Sequence, residues 1–207
     1  MKKSLIVAAL ALVLVSSLAS AEYPYPAPMY GLKGGLNLAN LRGDDVKDTS
    51  ARTGIVIGGF LEYPLGQMLS LQGELLYAMK GAKWDLGDVE ATLKFGYVEV
   101  PFLFKLRIPT DAGVRPFVLA GPGIAFKTSA KVEFDNVDTE SSIERNVENT
   151  KGTDVGLILG GGVGIPMGSR LFSLEARYEM GLMDIFDVDP TVNVRHGVIS
   201  ILAGIAF

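Results

Sequence analysis

Cysteine is absent from this 207-residue sequence, and histidine and tryptophan occur only once each. The lack of cysteine excludes disulfide bonds, thiolate catalysis and a lipid anchor on cysteine, so an exported chain would depend on packing and strand pairing for stability. The net charge of −4 excludes a basic surface suited to nucleic acid. After residue 21 there is no apolar run of the roughly 20 residues that a transmembrane helix needs. If the chain spans a membrane, it must do so as a closed β-barrel.

The amino-terminal segment has the pattern of a secretory signal peptide. Two lysines precede an apolar run at residues 5–15, and small residues at 19–21 form a cleavage site. A retained amphipathic anchor is the less favoured alternative. We predict a cleavable signal peptide over residues 1–21, a Pro-rich lead-in over 22–29 and one barrel domain over 30–207.

Eight amphipathic segments with strand-like alternation follow. They are longer than the average strand of about 5–6 residues and long enough to cross a membrane at a tilt, which takes about 9–11 residues. An even number of strands is typical of single-chain bacterial barrels. We therefore predict an all-β fold, an eight-stranded antiparallel up-and-down transmembrane β-barrel. The predicted strands are residues 30–41, 53–65, 68–81, 92–108, 115–127, 153–167, 170–183 and 194–207.

The connections between these strands alternate between short and long. Short connections that contain proline and glycine are typical of periplasmic turns, and long polar ones are typical of external loops. This alternation predicts that both termini are periplasmic. The longest connection, residues 128–152, carries three basic and six acidic side chains, which predicts an exposed, poorly ordered external loop. The short connections are residues 64–67, 109–114 and 166–169, and the long ones are 42–52, 82–91, 128–152 and 184–193.

Charged and apolar side chains occupy opposite faces of the predicted strands. A soluble, lipocalin-like barrel could alternate in the same way, but its exterior would be rich in charge, whereas charges here are sparse. Because a charge on a lipid-facing surface costs about 2–4 kcal/mol at the midplane, we place the charges in the lumen. Eight strands leave a lumen that side chains can fill, which predicts an internal salt-bridge plug. The predicted lumen polar cluster comprises Lys33, Glu62, Glu74, Lys80, Glu99, Lys105, Glu175, Arg177 and Glu179.

Two prolines fit this scheme poorly. Pro101 and Pro122 lie inside the predicted fourth and fifth strands, where proline removes a backbone donor. A symmetric turn near Asp111 would set the two prolines opposite each other, and we predict a β-bulge at that position.

Three segments are similar to motifs of the PorT-like outer-membrane β-barrel domain family. Residues 31–39, Gly-Leu-Lys-Gly-Gly-Leu-Asn-Leu-Ala, resemble its opening G-x-K-G-G-x-N strand. Residues 97–105 resemble its Y-x-E-x-P strand ending in Lys, and residues 115–123 resemble its P-[YF]-x-x-A-G-P strand. The resemblance covers nearly all of residues 29–207. It implies an eight-stranded barrel in which both prolines are family features, and it implies no activity.

The sequence offers little support for catalysis or for a cofactor. Some eight-stranded outer-membrane barrels act on lipid A with a His and a Ser, but His196 and Ser200 are separated by four strand residues, or roughly 13 Å. We predict that the protein is not an enzyme and that His196 is exposed or at the lumen rim. The glycine-rich residues 160–164 lack the G-x-G-x-x-G spacing and lie on a predicted strand, which argues against a nucleotide site.

The remaining candidate for a bound ion is the acidic connection near the last strand. Asp184, Asp187 and Asp189 lack the EF-hand spacing, so weak cation binding there stays only an open alternative. We predict neither a cofactor nor a metal.

Two functions remain in view. The first is a structural, adhesion or interaction protein of the bacterial outer membrane that acts through its external loops. The alternative is a narrow porin-like channel or transporter for small solutes, and an outer-membrane lipid-modifying enzyme comes third. The predicted partners are outer-membrane lipid and lipopolysaccharide, together with the barrel-assembly machinery, which would recognise the last strand through Phe207. Nucleic acid is not a predicted partner.

Overall fold

The computed structural model describes residues 27–42, 49–85, 89–111, 113–136, 141–147, 151–184 and 194–207. The predicted signal peptide and most of the lead-in lie outside these residues. Among the described residues there is no helix long and apolar enough to cross a membrane. The strands of this part of the chain are β1 (Met29–Arg42), β2 (Thr49–Pro64), β3 (Leu69–Asp85), β4 (Val89–Arg107), β5 (Arg115–Asn136), β6 (Ser141–Asn146), β7 (Thr153–Met167), β8 (Arg170–Gly181) and β9 (Arg195–Ala206).

Eight of these strands form a closed antiparallel barrel. Each barrel strand pairs with the barrel strands that precede and follow it in the chain, and β1 pairs with β9 from Gly31 opposite Ala206 to Arg42 opposite Arg195. Pairing between β4 and β5 completes the ring. The predicted all-β, eight-stranded antiparallel barrel is therefore confirmed, and all eight predicted strands are present.

The two ends of the barrel, the turn end and the loop end, differ in their connections. At the turn end, β2–β3, β4–β5 and β7–β8 are joined by short segments, and β1 begins and β9 ends there. Gly168, in the β7–β8 turn, has a φ of 63°, in the left-handed region that glycine adopts without strain. The β1–β2 and β8–β9 connections and the β5–β6 hairpin lie at the opposite end, the loop end. The β3–β4 connection is also there but spans only residues 86–88, so the predicted alternation of short and long connections fails at that position.

The prediction of a poorly ordered loop over residues 128–152 was wrong for much of its length. β5 continues to Asn136 and forms a hairpin with β6, from Lys131 opposite Asn146 to Asn136 opposite Ser141. In this segment apolar residues alternate with charged ones, at Ala130, Val132 and Phe134. The two-residue period of a β-strand therefore continues although the segment is highly charged. Likewise, β3 and β4 occupy most of the predicted connection 82–91, with only residues 86–88 outside the described part.

The side chains of the barrel strands alternate between exterior and interior as predicted. On β8, Phe172 and Leu174 are exposed, whereas Glu175 and Arg177 are buried. Apolar side chains such as Leu32, at 64% exposure, dominate the exterior. The barrel therefore presents a largely apolar outer surface and encloses charged side chains such as Glu175 and Arg177.

The bulge predicted at the two prolines was wrong in position. Pro101 lies opposite Gly123 rather than Pro122, so the pairing is offset by one residue from the symmetric arrangement. The register on both sides of Pro101 is the same, and the ladder shifts instead at Gly96 and Tyr97. Proline removes a donor without adding a residue to the strand, and therefore it does not require a change of register.

Candidate functional site in the barrel interior

All nine residues of the predicted lumen polar cluster point inward, and each is at most 9% exposed. They come from β1, β2, β3, β4 and β8, so their side chains meet across the lumen rather than along one strand. They form three groups along the barrel, one near the turn end, one in the middle and one near the loop end.

The turn-end group is built around Glu62. Lys105 Nζ lies 2.9 Å from Glu62 Oε2, and Arg107 binds the other carboxylate oxygen. Lys105 Nζ also donates to Gln72 Oε1 at 3.3 Å and lies 4.2 Å from the centre of the Phe117 ring. The carboxylate of Glu62 is therefore held by two cations.

Gln72 connects this group to the next. Its amide nitrogen donates to Glu74 Oε1 at 2.6 Å, while its oxygen accepts from Lys105. An amide can do both because it carries a donor and an acceptor, so the hydrogen bonds run without a break from the turn-end group into the middle of the lumen.

The middle group contains two carboxylates and two cations. Lys33 Nζ lies 2.7 Å from Glu74 Oε1 and 3.1 Å from Glu175 Oε2. Arg177 donates to Glu74 through both terminal nitrogens, at 2.8 and 3.1 Å, and to Glu175 through Nε at 2.6 Å. Such forked contacts are among the strongest charge-assisted hydrogen bonds, and the charges of the group cancel.

Gly160 provides the space that Arg177 occupies. The two residues are paired between β7 and β8, and a Cβ atom on Gly160 would lie 2.7 Å from the Arg177 Cβ. The glycine-rich residues 160–164 thus lie within strand β7, as predicted, and one of them makes room for the middle group.

The loop-end group is centred on Lys80, which is completely enclosed. Its Nζ lies 2.6 Å from Glu99 Oε1 and 2.7 Å from Glu179 Oε1. One cation thus faces two carboxylates. A cavity of about 10 Å³, lined by Arg177 and Ser200 among others, separates this group from the middle group. That volume is close to the minimum of about 10–15 Å³ that one water molecule requires.

His196 is buried rather than exposed or at the rim, which corrects the prediction. It is 1% exposed and packs edge-on against the rings of Phe95 and Tyr97. Its Nε2 lies 3.2 Å from the Tyr97 hydroxyl, and Ser200 donates to Asn37 at 2.7 Å instead of contacting the histidine. The absence of enzyme activity stays a prediction.

Sequence reasoning missed Asp154. This side chain is 3% exposed, and neither carboxylate oxygen has a hydrogen-bond partner of ordinary geometry among the described residues. The alternation along β7 places Asp154 on the same inward face as Ile158 and Gly160. The two-residue period of the strand could therefore have predicted that Asp154 points into the barrel. An unpaired buried carboxylate is energetically unfavourable, which marks this position as unusual.

Apolar clusters complete the interior, in addition to the predicted polar groups. Towards the loop end, Leu41, Leu93 and Phe95 belong to a buried cluster, against which Trp84 and Val132 pack. Two further clusters lie deeper in the barrel. They consist of Val56, Leu76, Ala78 and Leu202, and of Leu103, Phe117, Leu119 and Ile158.

The structure gives no support for a metal site within its described part. No group of three or more His, Asp or Glu side chains there is placed to hold a metal ion. Asp184 instead accepts from Arg195 Nε at 3.3 Å, while Asp187 and Asp189 lie outside the described residues.

Comparison with known proteins gives a family and several structural relatives. Residues 29–187 match the model of a family described as outer membrane protein beta-barrel domain. No curated protein matches the sequence.

Three solved structures are similar to this chain at low sequence identity. The first is Ail, the attachment invasion locus protein of Yersinia pestis, in complex with the heparin analogue sucrose octasulfate. Its sequence is 17% identical to this one, and the match covers 87% of this chain and 99% of that chain, with a TM-score of 0.46. Neisserial surface protein A is 16% identical over 86% of this chain and 97% of that one, with a TM-score of 0.48. The translocator domain of the autotransporter NalP from Neisseria meningitidis is 10% identical over 97% and 96%, with a TM-score of 0.36.

Proposed function

Because the chain belongs to the family of outer membrane protein β-barrel domains, we propose that it is a bacterial outer-membrane barrel with a closed lumen. In this proposal the protein has a structural, adhesion or interaction role, which it performs through the segments at its loop end. We also propose that the chain is a member of the more specific PorT-like outer-membrane β-barrel domain family.

The buried ion-pair network is the observation that carries the proposal of a closed lumen. Glu74 of β3 and Glu175 of β8 are joined across the barrel by Lys33 of β1. An ion that passed through the middle group would have to separate these pairs and leave charges uncompensated in a confined space, at several kcal/mol per charge. The apolar cluster around Phe95 adds a second obstruction towards the loop end.

The β5–β6 hairpin supports a role at the loop end. β5 loses its pairing with β7 after Phe126, yet it continues to Asn136. At about 3.3 Å per residue, this extension reaches roughly 30 Å along the strand direction. β4 and β6 flank it, so a small sheet stands beyond the ends of β8 and β9. Such a sheet offers a partner a defined surface in place of a mobile loop.

The proposed orientation places the turn end in the periplasm and the loop end outside the cell. The turn-end connections 65–68, 108–114 and 168–169 are short, whereas the loop end carries the β5–β6 hairpin and the β8–β9 connection 182–194. This contrast supports the orientation, because outer-membrane barrels have short periplasmic turns. Both termini would then be periplasmic. The assembly machinery would recognise strand β9 and Phe207 from that side, and outer-membrane lipid and lipopolysaccharide would surround the apolar exterior.

Planar-bilayer recording of the refolded protein tests the closed lumen against a channel. We expect no large, steady conductance from the unmodified protein, since the middle group fills the lumen. Arg195→Gln, which changes an exposed residue at the loop end, should behave in the same way. A large, steady conductance from the unmodified protein would overturn the proposal and favour the alternative of a narrow channel for small solutes.

A further inference from the structure

The exterior of the barrel has an apolar groove over β1, β2, β8 and β9. Its volume is about 490 Å³. Gly34 and Ala203, which are direct partners in the β1–β9 ladder, form its floor because neither carries a side chain larger than a methyl group. Leu32, Ile57, Phe172 and Ile205 are among the residues that line it.

At the turn end, the groove leads to a cationic and aromatic group on the same exterior face. Arg170 and Phe207 each lie two residues from a lining residue, Phe172 and Ile205, which is about 7 Å along a strand. The Arg170 guanidinium lies 5.2 Å above the centre of the Phe207 ring. The centres of the Tyr30 and Phe207 rings are 6.1 Å apart.

Arg170 is exposed, and no salt bridge joins it to an Asp or Glu side chain within the described part of the chain. Stacking on an aromatic ring holds the guanidinium in a fixed orientation while its donors remain available. Tyr30 is 59% exposed and carries a further donor on the same side. The exterior of the barrel therefore combines an apolar cleft with two exposed hydrogen-bond donors, Arg170 and Tyr30, which both pack against the Phe207 ring at the turn end.

We propose that this groove binds one glycerophospholipid from the membrane leaflet at the turn end. An acyl chain fills the cleft over Gly34 and Ala203, and the headgroup phosphate accepts hydrogen bonds from Arg170 and Tyr30. A guanidinium matches phosphate through paired donors, and tyrosine is suited to a site that is apolar at one end and polar at the other. This inference rests on the proposed membrane location and is independent of whether the lumen is closed.

A second copy of the chain fits the groove less well. In a two-fold symmetric dimer the same patch would face itself. The groove and its turn-end group contain no Asp or Glu among the described residues, so a second copy would bring no acidic side chain to Arg170 as a counter-charge. A phosphate headgroup supplies that charge, and a hydrocarbon chain matches the apolar lining.

Native mass spectrometry of the detergent-refolded full chain tests the proposal. Phosphatidylglycerol and a diacylglycerol with the same acyl chains are added separately. We expect one phosphatidylglycerol to be retained per protein, with at least tenfold weaker retention of diacylglycerol. Arg170→Gln should reduce the phosphatidylglycerol affinity about tenfold, whereas Arg115→Gln, an exposed arginine at the turn end on β5, should leave it unchanged.

Ala203→Leu provides an independent variant, because it fills the floor of the groove at an exposed position without touching the headgroup donors. It should weaken retention of both lipids. The proposal is overturned if Arg170→Gln binds phosphatidylglycerol as tightly as the unmodified protein, or if diacylglycerol and phosphatidylglycerol bind equally. A dimer that Ala203→Leu abolishes would instead assign the groove to a second copy. Conductance through the lumen would contradict the proposal of a closed lumen but would not change the lipid-binding result. The two proposals can therefore be rejected independently.

Discussion

Arg177 contacts two carboxylates, Glu74 and Glu175, and both are buried with it. If the guanidinium is removed, Lys33 alone of the middle group's cations would face the two buried carboxylates. We therefore expect Arg177→Ala to lower the free energy of unfolding by about 3–5 kcal/mol, the range found when one partner of a buried pair is deleted. Urea unfolding in detergent micelles or vesicles measures this change.

The matched control is Arg195→Ala, which removes an arginine whose side chain is 46% exposed and paired with Asp184 at the loop end. An exposed pair contributes about 0–1 kcal/mol, so this variant should unfold close to the unmodified protein. Equal effects of the two variants would show that the middle group contributes no more than a surface pair.

Asp154 presents the opposite situation, since neither of its buried carboxylate oxygens has a hydrogen-bond partner among the described residues. Asp154→Asn keeps the shape of the side chain and removes its charge. We expect this variant to be as stable as the unmodified protein or more stable, whereas Glu175→Gln, at a paired position, should be less stable. If Asp154→Asn and Glu175→Gln lose similar stability in the same unfolding assay, Asp154 has a stabilising partner after all.

At the level of single residues, the sequence predicts which way a side chain points but not what it contacts. Alternation with a period of two assigns Glu74 and Arg177 to the interior without knowledge of their neighbours. The contact between them depends on how β3 and β8, which are not adjacent, face each other across the lumen. His196 shows the same limit, because its burial comes from Phe95 and Tyr97 on a distant strand.

Among the connecting elements, the β7–β8 turn depends most clearly on one residue. Gly168 has a φ of 63°, which costs a residue with a Cβ atom roughly 1–2 kcal/mol. Gly168→Ala should therefore lower the free energy of unfolding by about that amount, while the exposed neighbour Ser169→Ala should have little effect. An unchanged urea midpoint for Gly168→Ala would mean that the turn adopts another conformation in the membrane.

The strands were easier to predict than the segments between them. β7 matches its predicted bounds because Pro, Gly and Thr mark its ends clearly. The predicted end of β5 is too early, because the charge of residues 128–152 is typical of a loop, whereas residues 128–136 keep the alternation of a strand. Charged side chains are compatible with a strand that is surrounded by water, because they do not have to be transferred into lipid there. The register shift at Gly96 and Tyr97 has no comparable signal in the sequence.

At the scale of the whole molecule, closure of the sheet determines how the protein should behave in detergent. β1 pairs with β9, and β4 pairs with β5, so the barrel strands have no free edge in the ring. Such a sheet satisfies its backbone hydrogen bonds internally, which is what allows it to persist in an apolar phase. We expect the unboiled protein to migrate differently from the boiled protein in SDS gels and to fractionate with the outer membrane. Recovery of the mature protein in soluble periplasm would contradict this expectation.

The orientation of the barrel also belongs to the whole molecule, because it depends on the contrast between the two ends. The loop end carries the long β5–β6 hairpin, and the turn end carries only short connections. Protease treatment of intact cells should therefore cut first near residues 137–140, between the hairpin strands, and should spare the turn at Gly168. The pairing of β5 with β6 should slow cleavage within those two strands, so the first fragments should end between them. A hairpin that is protected in intact cells and cut only after lysis would mean that the loop end faces the periplasm, and both termini would then lie outside.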